Sequence, residues 1–175
     1  MPWRRNPLGS RAGLQFSVEK INELLQHYGI NELSKTDKIF ITAVIEHTVY
    51  LLYDETGNHI ASEKGRIYME HFKVTMLNYK SDIFKTCENR DTNISMQHFT
   101  YILLKQCHPG LSLAKVVAVY IDKLINEYCE QLAKADLTNI DNTISTMFNK
   151  DTVLCENVIK YAKTAVDKFN GIYDY

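Results

Sequence analysis

The residues best suited to chemistry in this sequence are its histidines and cysteines, because imidazole and thiolate groups serve as metal ligands and catalytic groups. The closest grouping along the chain is His98, Cys107 and His108. Their spacing places them on different helix faces, and no Cys-x-x-Cys pair supports a zinc site. We therefore predict structural roles for these side chains, reduced cysteines, and no bound metal or cofactor.

Sequence motifs for catalysis are also missing. The chain contains no glycine-rich phosphate loop, no Gly-x-Ser-x-Gly motif and no His-Glu-x-x-His motif. No apolar run reaches the roughly 18 residues that a membrane helix requires, and the first residues carry no signal-peptide pattern. The sequence therefore predicts a protein that binds other molecules and is not an enzyme.

The charged residues are the remaining candidates for function. The 175 residues include 20 Lys and Arg and 21 Asp and Glu, which gives a net charge of −1. Packaging of nucleic acid normally requires a strongly basic protein, because neutralised phosphates supply most of the affinity that does not depend on sequence. Such a function must therefore depend on where a few basic side chains lie.

A repeated order of short, long and short helices is expected to position these side chains. In the first copy, Ser17 is expected to cap a helix that Gly29 ends. A polar loop over 31–37 then leads to a long helix from about Lys38 to about Ala61, and a second loop at 64–66 follows. The copy closes with a short helix that carries the apolar residues Met69, Phe72, Val74, Met76 and Leu77.

The second copy is expected to open at Ser95, which can cap a helix that ends at 108–110. Its long helix is predicted over 113–137. The polar stretch 139–145 is interpreted as its second loop, followed by a shortened third helix. A last amphipathic helix carries Leu154, Val158, Ala162, Ala165, Val166 and Phe169.

The pattern predicts an all-α fold with four parts along the chain. These are a basic N-terminal arm at 1–10, a first helical unit at 11–80, a linker at 81–94 and a second helical unit at 95–175. Neither unit could bury its long helix alone, whereas two units that cross through their long helices could. We therefore predict one intramolecular pair.

Several segments resemble the core histones. The sequence Ser-Arg-Ala-Gly-Leu-Gln-Phe at 10–16 resembles the start of the first helix of histone 2A, and 65–71 resembles its second loop and third helix. The string Leu-Lys-Gln-Cys-His-Pro at 104–109 resembles the first helix of histone 2B, and 126–133 resembles its long helix. The resemblance covers nearly the whole chain, which is similar in organisation to the fused, nearly tailless histone doublets of giant DNA viruses.

This resemblance implies two histone folds paired in a handshake, with double-stranded DNA and histones three and four, separate or fused, as partners. It also implies a location in the host nucleus or viral factory, and in the virion. In histone pairs each first loop lies beside the partner's second loop, and both face phosphate. The DNA-contact residues that the resemblance implies are Arg11, Lys20, Lys35, Lys64, Arg66, Lys105 and Lys115.

The two expected loop pairs differ in charge. One joins the loop at 64–66 to the loop around Ser112 and Lys115, and Arg66 is its best candidate for a minor-groove contact. The other joins 31–37, where Lys35 is the only basic residue, to 139–145, which has none. We therefore expect lopsided DNA contact, centred on Arg66.

The resemblance also implies a reduced form of the histone acidic patch, a docking site for chromatin factors. Glu46 and Asp54 match acids of that patch, whereas Leu51, Tyr79 and Lys80 replace others. Factors that dock there through an arginine are expected to bind weakly or not at all.

A second class of function remains open. The chain could be a histone-fold interaction module, such as a transcription regulator or a decoy for histone chaperones, and its near-zero net charge favours this alternative. The basic loop pair around Arg66 and the order of the two units favour DNA packaging.

Overall fold

The computed structural model describes residues 7–60, 65–79, 94–135, 137–148 and 151–171. Over these residues the chain is mostly helical, in agreement with the predicted all-α class, and includes one pair of short strands. Most of the expected linker at 81–94 and the first six residues of the expected arm lie outside this range. The elements in chain order are α1 (Pro7–Ala12), α2 (Val18–His27), α3 (Lys35–His59), β1 (Gly65–Ile67), α4 (Met69–Leu77), α5 (Gln97–Cys107), β2 (Leu111–Leu113), α6 (Lys115–Ala133), α7 (Ile140–Met147) and α8 (Thr152–Phe169).

The central element is α3, which is buried on several sides. Every residue from Ile39 to Glu46 is buried, so this stretch presents no solvent-facing side. α3 packs against α8 and also contacts α1, α2, α4, α5 and α6. The burial of α3 is therefore not confined to one face, because helices from both copies of the repeat surround it.

Side-chain caps set the bounds of the first helices. Ser17 Oγ accepts a hydrogen bond from the backbone N–H of Lys20 at 3.2 Å, and Gly29, with a φ of +107°, follows the end of α2, as predicted. Ser34 caps α3 by accepting the N–H of Asp37 at 3.1 Å. The long helix therefore begins at Lys35 and not near 38, and the expected loop at 31–37 is shorter.

The second copy departs further from the prediction. The N-cap residue of α5 is Met96 and not the expected Ser95. Ser95 precedes Met96, and its Oγ accepts a hydrogen bond from the backbone N–H of Gln97. α6 ends at Ala133, before the expected end near 137. The prediction of a loop over 139–145 is wrong, because this segment forms most of α7, which Asn139 caps.

α4 buries some of its apolar side chains and exposes others. Phe72 and Thr75 are buried, but Val74 and Leu77 are 58% and 80% exposed. α4 packs on α3 and α6 through the face that carries Phe72. Val74 and Leu77 are therefore surface residues, although the helix that carries them was predicted.

Buried residues of both copies form one continuous core. The hydroxyl oxygens of Thr48 in α3 and Tyr128 in α6 lie 3.3 Å apart, and the hydroxyl of Tyr28, the residue after α2, donates to Asn126 Oδ1 of α6 at 3.0 Å. α8 lies against α3 and buries its apolar face there. The two copies therefore share one interior. In the segments that the structure describes, no helix combines the length and apolar character needed to cross a membrane.

Candidate nucleic-acid interface

The loops that precede α4 and α6 meet in a short parallel strand pair, in which Arg66 of β1 lies opposite Ser112 of β2. The backbone N–H of Ala114 donates to the Ile67 carbonyl at 2.9 Å and extends the pairing. Ile67 and Leu111 are buried beneath the strands, whereas Arg66 is exposed, as the alternation of side chains along a strand requires. This strand bridge fixes Arg66 on the outer side of a junction between the two copies.

The Arg66 side chain lies along β2. Its Nε donates to Ser112 Oγ at 3.4 Å, and Ser112 Oγ in turn donates to the Gly65 carbonyl at 3.5 Å. Among the residues that the structure describes, no carboxylate forms an ion pair with Arg66. An exposed guanidinium that is not paired with any of the described carboxylates can donate to phosphate oxygens.

The lysines expected near this bridge differ in their surroundings. Lys115 is the exposed first residue of α6, directly after the bridge. Lys105 Nζ instead donates to the carbonyl groups of Leu111 at 2.9 Å and Pro109 at 3.4 Å. Lys105 therefore holds the loop before β2 in shape, and its ammonium group is only partly available to phosphate. Lys64 lies outside the described residues.

The other predicted contact residues, Arg11, Lys20 and Lys35, are distant from the strand bridge along the sequence. The Arg11 guanidinium lies 4.3 Å from the ring centre of Phe169 and donates to the Phe169 carbonyl at 3.2 Å. Arg11 thereby joins α1 to the end of α8 and satisfies one of its terminal carbonyls. Lys20 forms an ion pair with Glu23 at 3.9 Å, and Lys35 is the exposed first residue of α3.

The opposite loop pair changes with the corrected helix bounds. Because α7 takes up most of 139–145, the connection between α6 and α7 covers 134–139. It begins with Lys134, an exposed base that falls inside the long helix predicted over 113–137 and was therefore not expected in a loop. Lys134 Nζ lies 3.3 Å from Glu130 in the preceding turn. The expectation of a loop without a base is therefore wrong, although this base already has an acidic partner.

Glu46, which was expected in a surface acidic patch, is buried and only 2% exposed. Its Oε1 accepts the backbone N–H groups of Gln15 and Phe16, and its Oε2 accepts the hydroxyl of Tyr161 at 2.6 Å. Burial raises the pKa of this carboxyl group, and the three hydrogen bonds oppose the rise. Glu46 therefore ties the α1–α2 connection and α8 to α3, and it does not offer a carboxylate to a partner.

Asp54 remains at the surface of α3. Its Oδ1 lies 3.5 Å from His108 Nε2, a contact that is an ion pair only when the imidazole is protonated. Burial and the nearby Asp54 raise the pKa of the Cys107 thiol to about 12. In the described segments, no three His, Cys, Asp or Glu side chains are grouped so that they could hold a metal ion.

A stack of three rings beside Glu46 was not predicted. His47 lies between Tyr50 and Tyr161, with ring centres 5.4 Å and 4.4 Å away and nearly parallel planes. Burial lowers the pKa of His47 to about 4. The spacing of His47 and Tyr50 along α3 could have indicated half of the stack, but Tyr161 comes from α8 and gives no local signal.

Comparison of this chain with protein-family models, with curated proteins and with solved structures finds no match. The residues and contacts described above, together with the resemblance of the motifs, are therefore the basis for assigning a function.

Proposed function

We propose that the chain is a histone doublet in which two histone folds pair within one polypeptide. The first fold would consist of α2, α3 and α4 and the second of α5, α6 and α7, with α8 as an additional helix. The repeated short, long and short order, the parallel bridge between β1 and β2, and the shared core support this assignment. A long helix that needs a partner to be buried would find that partner in the same chain.

The function in this proposal is to package double-stranded DNA, as the histone 2A- and 2B-like component of a nucleosome-like particle. The observation that carries it is the exposure of Arg66 on the strand bridge, with Lys115 at the start of α6 beside it. DNA wrapping that is independent of sequence uses arginines in the minor groove and basic groups or helix N-termini at phosphates. The bridge offers an arginine and a helix start at one place.

Histones three and four, or a fused doublet of them, would complete the particle. The proposal assigns the protein to the host nucleus or viral factory, and to the virion, as the resemblance to viral doublets implies. It assigns the chain no catalysis and no cofactor.

The experiment that tests this function measures the DNA affinity of the full chain at several salt concentrations. A packaging protein should lose affinity steeply as salt rises, because each phosphate that it neutralises releases a counterion. After reconstitution with histones three and four, nuclease digestion should leave protected fragments of defined length. A flat salt dependence with no protected fragment would refute packaging.

The second candidate is an interaction module, such as a transcription regulator or a decoy for histone chaperones. The net charge of −1 favours it, as do the contacts within the chain that engage Arg11 and Lys105. Such a protein would bind other proteins and show no salt-dependent affinity for DNA. The same titration therefore separates the two candidates.

A further inference from the structure

A pocket lies beside the ring stack of Tyr50, His47 and Tyr161, and we call it the stack pocket. Its walls come from the α1–α2 connection, α3, α5 and α8, and its volume is about 310 Å³. Pockets that hold small molecules have volumes of about 300–1,000 Å³. The stack pocket is therefore large enough for one small ring system.

Hydrogen bonds of Glu46 hold three of these walls together. Its Oε1 accepts the backbone N–H groups of Gln15 and Phe16, and its Oε2 accepts the Tyr161 hydroxyl. Both oxygens are thereby engaged, and Glu46 is only 2% exposed, so it offers no free carboxylate to a ligand. Within the described part of the chain, no lysine or arginine lines the pocket. The stack pocket is therefore preformed and suited to an uncharged ligand.

Four side chains of the lining have hydrogen-bonding groups that the protein does not use. Among the residues that the structure describes, no hydrogen bond engages the amides of Gln15 and Gln106, the imidazole of His47 or the hydroxyl of Tyr50. Burial lowers the pKa of His47 to about 4, so at pH 7 the neutral imidazole has one N–H donor and one acceptor nitrogen. Each amide also has donors and an acceptor. The pocket therefore offers both donors and acceptors beside aromatic rings.

We infer that the stack pocket binds the uncharged base of a nucleoside. The ring of a base would pack on the aromatic rings and on Leu103, as bases do on aromatic side chains in single-stranded nucleic-acid sites. The edge of a base carries several donors and acceptors close together. These groups would pair with the imidazole of His47 and with the amides of Gln15 and Gln106.

Other ligands of similar size complement the stack pocket less well. A guanidinium group only donates hydrogen bonds and has no free carboxylate to meet here, because both oxygens of Glu46 are engaged. An indole ring has a single N–H group, which would leave most of the polar side chains without a partner. Bases in duplex DNA are paired and stacked, and they must be extruded before a pocket can hold them. The inference is therefore independent of the proposed DNA contact at Arg66.

The test is a titration of the full chain at pH 7, followed by saturation-transfer NMR, with adenosine, guanosine, cytidine and uridine as separate ligands. At least one nucleoside should bind saturably. His47→Phe keeps a ring in the stack but removes both nitrogens, so it should weaken binding about fivefold or more. Gln106→Ala, at an exposed position of α5, should weaken it several-fold without disturbing the fold.

Matched controls are His59→Phe at the exposed end of α3 and Gln26→Ala on the surface of α2, both outside the pocket. Each should leave nucleoside affinity unchanged, and thermal melting verifies that every variant is folded. Absence of saturable binding by all the nucleosides would overturn the inference, as would equal weakening by Gln106→Ala and Gln26→Ala. Tighter binding of the amide of N-acetyltryptophan or N-acetylarginine than of any nucleoside would assign the pocket to a protein side chain and would overturn it as well.

Discussion

At the scale of single residues, Arg66 differs from Arg11 and Lys105 in the contacts that fix its position. Pairing of β1 with β2 fixes its backbone, and Ser112 lies opposite. Arg11 and Lys105 instead donate to carbonyl groups of the chain, so replacing either one would disturb local structure as well as charge. Arg66 is therefore the residue whose removal tests DNA contact most directly.

Arg66→Ala should reduce the affinity for duplex DNA by about 1 kcal/mol or more, as expected for a charge-assisted contact. It should also lower the salt dependence of binding by about one ion. Titrations at several salt concentrations measure both quantities, with Lys160→Ala on α8 as the control. Lys35→Ala should have a smaller effect than Arg66→Ala. If Lys35→Ala weakens binding and Arg66→Ala does not, the proposed DNA contact at Arg66 is contradicted.

Glu46→Ala should lower the free energy of unfolding by about 3 kcal/mol, because the N–H groups of Gln15 and Phe16 and the Tyr161 hydroxyl lose their acceptor. Glu46→Gln keeps an oxygen for the two N–H groups and removes a buried ionisable group, so it should change stability by less than about 1 kcal/mol. Urea denaturation measures both variants. Equal damage from both would show that the site requires the negative charge.

The partly buried His47 side chain should make the stability of the folded chain sensitive to acid. Burial lowers its pKa from 6.5 to about 4, so the folded chain resists protonation. As pH falls from 6.5 towards 4, the unfolded chain takes up a proton that the folded chain does not, and stability decreases across that window. His47→Phe keeps a ring between Tyr50 and Tyr161 and should remove this part of the loss. Melting temperatures measured from pH 7 to pH 4 test this, and identical pH profiles for the two proteins would contradict it.

At the scale of the elements, the helix ends that depend on nearby residues were predictable from the sequence. A helix that depends on packing against the core was not. α2 begins after the Ser17 cap and ends before Gly29, and both limits depend on hydrogen bonds and backbone geometry within a few residues. The sequence therefore predicts both ends of this helix. The mostly polar composition of 139–145 predicts a loop, yet Ile140 and Ile144, one helical turn apart, are both buried in α7. Two apolar anchors are too weak a pattern to identify a helix whose stability comes from the core beneath it.

The close approach of α3 and the end of α5 gives a prediction for Gly57. A Cβ atom at Gly57 would overlap the imidazole of His108. Gly57→Ala should therefore destabilise the chain by about 1 kcal/mol or more, although alanine favours a helix by a similar amount. In a His108→Ala chain the same change should be stabilising. Urea unfolding of the unchanged protein, the two single variants and the double variant measures the effect of Gly57→Ala with and without His108. If Gly57→Ala is destabilising in both cases, the His108 imidazole is not what the added Cβ atom meets.

For the molecule as a whole, the candidate site was partly predictable. The resemblance places the Arg66 loop beside Ser112, and the structure pairs these residues. It does not predict the burial of Glu46, because the groups that cover this carboxylate come from Phe16 and Tyr161, far apart in the sequence. A family pattern gives the position of a residue on its helix, whereas burial depends on which side chains of this chain surround it.

Residues 1–88 alone should not fold stably. This fragment contains α3 but lacks α6 and α8, which contribute to burying α3 in the full chain. Circular dichroism should show low helicity without a cooperative melt, or the fragment should aggregate. A monomeric fragment that melts cooperatively would contradict the dependence of α3 on the second copy.

The positions of α3 and α8 along the chain also affect synthesis. α3 leaves the ribosome early, whereas α8, which packs against it, is the last helix described. At ordinary translation rates the delay is on the order of ten seconds, during which the apolar surface of α3 on the nascent chain has no α8 to cover it. Once α8 emerges, its binding site is already tethered to it at high effective concentration. Assembly of the two halves is therefore independent of protein concentration, and their one-to-one ratio is guaranteed without matched expression of two genes.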